Sequence, residues 1–131
     1  MIDNDIKELY SLIFQREGIP SSLINAAIEI SKHIEEDGTV YFTAGLRKEL
    51  AQSLGIGLAR VTQVIGLLDA HDVLKKKRYR GLYTANLATL FPYDTLAKAK
   101  DYCLTFQKNN ITLKVRKEDG GWVTLSSTSS W

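Results

Sequence analysis

Ile2, Ile6, Leu9, Tyr10 and Ile13 recur at helical spacing and predict an amphipathic helix over residues 3–16. Gly18 stops it and Pro20 begins a turn. Leu23, Ala26, Ala27, Ile30 and Ile34 form a second stripe, on a helix capped by Ser21 or Ser22 and closed by Asp37-Gly38. Thr39 to Phe42 is β-branched and aromatic and suits a short strand, with Thr43 capping the helix after it. That helix has an apolar face of Leu46, Leu50, Ala51 and Leu54, and Gly55 ends it where the chain turns left-handed. Ile56 returns to the core, and Gly57 starts a further helix whose buried face is Val61, Val64, Ile65 and Leu68. The pattern between Arg47 and Lys76 is a helix-turn-helix, with Ala51 small where the helices cross.

A hairpin is expected next, out along Val73–Tyr79, round Gly81, and back along Leu82–Asn86. The first strand, Thr39 to Phe42, is expected to pair with it. Tyr93, Leu96, Ala99, Tyr102, Cys103 and Phe106 then predict a helix over residues 93–107, broken by Asn109-Asn110. Ile111, Leu113 and Val115 alternate with polar residues, Asp119-Gly120-Gly121 signals a turn, and Trp122–Leu125 returns as a second strand. The fold class is therefore mainly α with a small sheet (α+β). Residues 1–91 form the main domain, 92–125 a helix-plus-hairpin extension and 126–131 a flexible tail.

Charge sharpens this picture. Residues 1–45 hold 3 Lys/Arg against 8 Asp/Glu, net −5; residues 46–91 hold 8 against 3, net +5; residues 92–131 hold 6 against 4, net +2. Base is concentrated where the helix-turn-helix lies, which marks a face that meets anions, and the acidic start is expected to lie away from it. The outward side of the second motif helix carries Leu58, Ala59, Arg60, Thr62 and Gln63, none of them acidic. Arginine bonds guanine bidentately, glutamine bonds adenine, and Leu, Ala or Thr touches a thymine methyl, so these five are the candidate base contacts in double-stranded DNA. Arg47, Lys48, Lys75, Lys76, Lys77, Arg78 and Arg80 are the candidate phosphate contacts.

Helix, short strand, helix-turn-helix and basic hairpin follow the order of the winged-helix proteins, which this chain resembles over Ser21–Phe91. Within them, the stretch TVYFTAGLRKELAQSLGIGLARVTQVIGLLDAHDVLKKKRYRGLYTANLATLF is similar to the RepL-type plasmid replication proteins. In those, a winged helix ends in a strand with an Asn and an aromatic near a closing Leu-Phe. Tyr83, Asn86, Leu90 and Phe91 stand in matching places, whereas the usual Asn-Pro is Asn86-Leu87 and the usual Ser or Thr opening the recognition helix is Gly57. The resemblance implies a winged helix-turn-helix with an added N-terminal helix, acting in plasmid or phage replication initiation. Transcription regulation is the other role expected of such a module, and a protein-interaction winged helix within a larger plasmid or phage machine is the alternative.

Other chemistry is sparse in the sequence. His33 and His71 read as solvent or capping groups, and no Cys/His cluster has zinc spacing. The GIG at 55–57 is too short for a phosphate loop, and no nucleophile has a partner set, so neither an enzyme nor a cofactor or small-molecule ligand is expected. Cys103 reads as a small core residue in a reducing cytoplasm. No apolar run reaches the length of a membrane span. The apolar faces of the first and last helices, with Trp122, are expected to pair two copies as a homodimer, packing of these helices on each other within one chain being the alternative. A homodimer would set two recognition helices about 34 Å apart.

Overall fold

The computed structural model describes residues 1–108 and 111–126. The expected break at Asn109-Asn110, and residues 127–131 of the tail expected over 126–131, lie outside the described residues, while Ser126 of that tail ends a strand. The elements in chain order are α1 (Asp3–Glu17), a 3-10 turn (Ser21–Leu23), α2 (Ile24–Ser31), β1 (Thr39–Tyr41), α3 (Ala44–Leu54), α4 (Leu58–Ala70), β2 (Leu74–Lys76), β3 (Leu82–Ala85), α5 (Tyr93–Lys98), β4 (Asp101–Phe106), β5 (Ile111–Arg116) and β6 (Trp122–Ser126). Two antiparallel three-stranded sheets, ordered β1-β3-β2 and β4-β5-β6, accompany the helices, so the chain is of mixed α+β class. Among the described residues no single helix is long and apolar enough to cross a membrane.

α1 forms because its apolar stripe has somewhere to go. Ile6, Leu9, Tyr10, Ile13 and Phe14 are buried, and Gly18 ends the helix at φ 70°. Tyr10, Phe14 and Phe91 form an aromatic knot, with Tyr10 edge-on to Phe14 at 5.9 Å and tilted against Phe91 at 6.3 Å. The Tyr10 hydroxyl accepts from the Phe91 N–H at 3.0 Å and faces the Phe91 carbonyl at 3.3 Å. Burial pushes that hydroxyl's pKa well above its ordinary value, so it stays neutral and keeps both donor and acceptor. Tyr10→Phe is expected to cost about 1–3 kcal/mol, because the Phe91 N–H is then orphaned inside the core. Urea denaturation checks it: a midpoint unmoved from the parent's would show that another acceptor takes over.

The terminal stripe is thus covered within one chain, and Leu96 of α5 is fully buried as well. Of the five stripe residues, Ile2 alone is exposed, at 67%. The α1 part of the apolar face that argued for pairing two copies is used internally, whereas Phe106 and Trp122 of the same expectation are exposed, and the Met1 ammonium adds donors to the Leu96, Ala97 and Ala99 carbonyls.

Four sequence expectations change. The helix predicted over 93–107 is a short α5 followed by strand β4, so the extension is a short helix and a three-stranded sheet rather than a helix and a hairpin. Tyr102, Leu104 and Phe106 also satisfy a period of two, and pairing with Val115, Leu113 and Ile111 selects that period. Cys103 is consequently exposed on the other side of β4, not a core residue. The second helix ends at Ser31 rather than at Asp37-Gly38. The Ser31 hydroxyl bonds the Ile28 carbonyl, and the Lys32 and His33 N–H groups reach back only three residues, which tightens the chain out of the α-helix. Asp37 instead organises the turn into β1, its Oδ1 accepting from the Thr39 N–H at 3.0 Å and from the Thr39 hydroxyl. These bonds hold its carboxyl below the ordinary aspartate pKa. Neither Ser21 nor Ser22 caps α2, because Pro20 leads into a 3-10 turn and Leu23 precedes the α-helix.

Candidate nucleic-acid interface

α3 starts where the Thr43 hydroxyl accepts from the Leu46 N–H at 3.1 Å, filling one of the free donors of the first turn. It ends at Gly55, φ 65°, where the Gly55 and Ile56 N–H groups return to the Gln52 and Ala51 carbonyls. Only two residues separate this cap from Leu58, and α3 and α4 meet at 98°. That angle falls within the range of helix-turn-helix pairs. Leu50, Val61, Val64, Ile65 and Leu68 are buried between and beneath the two helices.

The same periodicity turns the other side of α4 outward. Leu58 is 51% exposed, and Ala59, Arg60, Thr62 and Gln63 are exposed with it over the first two turns. Arg60 donates to the Gln63 Oε1 at 2.7 Å, and Arg47 of α3 donates to the Thr62 hydroxyl at 3.1 Å. Arg47 also lies over the Phe42 ring, 6.0 Å from its centroid. Residues assigned from sequence to bases and to phosphates are therefore already in contact. The guanidinium of Arg60 is held by a neutral amide, and among the described residues it forms no ion pair. Lys48 is exposed one residue further along α3.

The hairpin arises as the end of α4 folds back. Asp72 takes a left-handed φ of 60°, and Val73 N–H bonds the Leu68 carbonyl. Asn86 locks the other end: its amide donates to the Asp72 carbonyl at 2.9 Å and its Oδ1 accepts from the Ala88 N–H at 3.1 Å. Asn86, Tyr83, Leu90 and Phe91 are all buried, so these four residues carry the fold and not an outer surface.

The strands are shorter than the sequence pattern predicts, stopping at Lys76 and resuming at Leu82. Lys77, Arg78, Tyr79, Arg80 and Gly81 form the loop, closed by Lys77 N–H to the Leu82 carbonyl at 2.8 Å. Gly81 sits at φ 80°, and a Cβ there would come 3.2 Å from the Phe42 carbonyl oxygen, so glycine is needed for both reasons. Strand alternation splits the lysine run: Lys76 lies opposite Tyr83, and Lys75 lies opposite Thr84 on the other face. Sequence reasoning passed over two exposed aromatics, Tyr79 in the loop at 67% and Tyr41 at the end of β1 at 54%. Tyr79 was visible among the basic residues; Tyr41 falls beside the loop only through β1–β3 pairing.

The acidic start does not lie wholly away from this surface. Asp3 and Glu29 line a groove of about 450 Å³ together with Lys7, Lys32, Ile56 and Arg60. Both carboxylates have partners, Glu29 the Lys32 ammonium at 3.1 Å and Asp3 the Tyr93 hydroxyl at 2.7 Å. Among the described residues no three His, Cys, Asp or Glu side chains gather to hold a metal ion. Comparison with protein-family models, curated proteins and solved structures matches this chain to none of them.

Proposed function

We propose that this chain binds double-stranded DNA in a sequence-specific way through a winged helix-turn-helix, with α4 as the recognition helix and the β2–β3 hairpin as the wing. The observation that carries this reading is the link through Arg47, which bonds Thr62 on the exposed, non-acidic start of α4 and lies over Phe42, whose N–H bonds the Gly81 carbonyl in the loop of Lys77, Arg78 and Arg80. A helix N-terminal half free of acid suits a major groove, and clustered base beside it suits the flanking phosphates. Arg60, Thr62 and Gln63, with Leu58 and Ala59, are the base contacts in this reading. Arg47, Lys48 and the hairpin's Lys75, Lys76, Lys77, Arg78 and Arg80 are the phosphate contacts. The process, plasmid or phage replication initiation or transcription regulation, follows from the resemblance to winged-helix and RepL-type proteins.

A gel shift over a range of salt tests the reading, using sites selected from a random duplex library. Retardation at 50 mM salt that weakens steeply with added salt is the expected result. No retardation there would favour the rival, a winged helix that docks on protein. Arg60→Ala is expected to cost about 1–3 kcal/mol on the selected site and less on random duplex, because base contacts discriminate and phosphate contacts do not. Equal losses on the two would make Arg60 a phosphate contact.

A further inference from the structure

Sheet β4-β5-β6 has two unlike faces. Ile111, Leu113 and Val115 of its central strand are buried toward α1 and α5. The opposite face carries Lys114 and Arg116, exposed, with Trp122 beside them at 51% exposure. Register sets these groups in rows across the sheet. Arg116 lies between Asp101 and Trp122, and Lys114 lies between Cys103 and Thr124. Neighbouring strands stand about 4.8 Å apart, and the backbone positions of the two cations, two residues apart on β5, are about 6.7 Å apart along the strand. Among the described residues neither Lys114 nor Arg116 has an ion pair, and the one carboxylate on the face, Asp101, accepts from the Tyr102 N–H at 2.8 Å.

We propose that this face is a binding platform for single-stranded nucleic acid. An exposed indole across from Arg116, with Lys114 two residues along the same strand, matches the two things a single strand offers, an unpaired base to stack and a phosphate backbone to neutralise. A duplex hides its base faces and would gain nothing from Trp122. A protein partner would want an apolar centre, and this face offers threonines and charge instead. The platform lies on a different sheet from the hairpin proposed to touch duplex DNA, so it extends that reading without depending on it.

The test uses the full chain with Trp131→Phe, so that Trp122 is the remaining tryptophan of the two. Fluorescence is titrated with 12-nucleotide oligothymidylate and oligouridylate, and with polyglutamate as a plain polyanion. Quenching by either oligonucleotide, and not by polyglutamate, is expected, the stronger of the two naming the preferred strand. Because Trp122→Ala removes the reporter, its affinity is read by anisotropy of labelled oligonucleotide; it should fall roughly 5- to 150-fold, while Trp122→Phe keeps most of it. Lys114→Gln with Arg116→Gln should lower the slope of log affinity against log salt by about 1.4. Unquenched Trp122, equal quenching by polyglutamate, or an unchanged affinity in Trp122→Ala would each overturn the platform. Arg60→Ala should leave oligonucleotide binding intact, so failure of the duplex reading and failure of this one are seen separately.

Discussion

Phe91→Ala is expected to cost about 3–5 kcal/mol of folding stability, as truncation of a fully buried aromatic ring does. Phe91 is 1% exposed and packs on Tyr10 of α1 just after the buried Leu90. It stands where the chain leaves the first sheet for α5, and its ring packs on the N-terminal helix. Domains of this size are stable by about 5–15 kcal/mol, so the loss is a large share of the whole. Urea unfolding of both proteins measures it, with the slope unchanged if the two transitions remain two-state. A loss below about 1.5 kcal/mol would mean that the pocket collapses or that the extension docks without this ring.

Neutralising Lys75, Lys76 and Lys77 together is expected to weaken binding to every duplex and to flatten its salt dependence. Each phosphate contact contributes about 0.9 to the slope of log affinity against log salt. Three consecutive lysines would give a loss near three if all touched one phosphate strand. Alternation across β2 puts Lys76 and Lys75 on opposite faces, so no more than two of the three share a face. The expected loss is therefore about 0.9–1.8 in slope. Binding of selected and random duplexes from 50 to 300 mM salt measures it. An unchanged slope would place the hairpin away from DNA, and a loss confined to the selected site would make a lysine a base contact.

Much of the first ninety residues was legible because local signals there agree with one another. The stripe of α1, the Thr43 cap, the Gly55 turn and the buried face of α4 each rest on neighbours within a few positions. The extension was misread because its signals are ambiguous. Leu96, Tyr102 and Phe106 fit a helix, yet Tyr102, Leu104 and Phe106 equally fit a strand, and nothing local arbitrates between periods of 3.6 and two. The arbiter is β5, whose Val115, Leu113 and Ile111 offer partners from across the hairpin.

The candidate duplex-DNA surface divides in the same way. Which residues of α4 point outward follows from its period alone, since Val61, Val64, Ile65 and Leu68 claim one side and leave Leu58, Ala59, Arg60, Thr62 and Gln63 on the other. By itself the sequence determined the succession from α1 to β3, the place of the turns and the concentration of base between residues 46 and 91. Tertiary structure decided what no short window contains. It folded the α1 stripe into the same chain's core, divided the lysine run between two faces, brought Asp3 and Glu29 to the groove of Arg60, and turned Cys103 out while setting Trp122 beside Arg116. The physical reason is that helix starts and stops are settled by backbone geometry and nearby side chains. Burial of an apolar face and choice of strand partner are settled by the free energy of contacts between residues far apart in the chain.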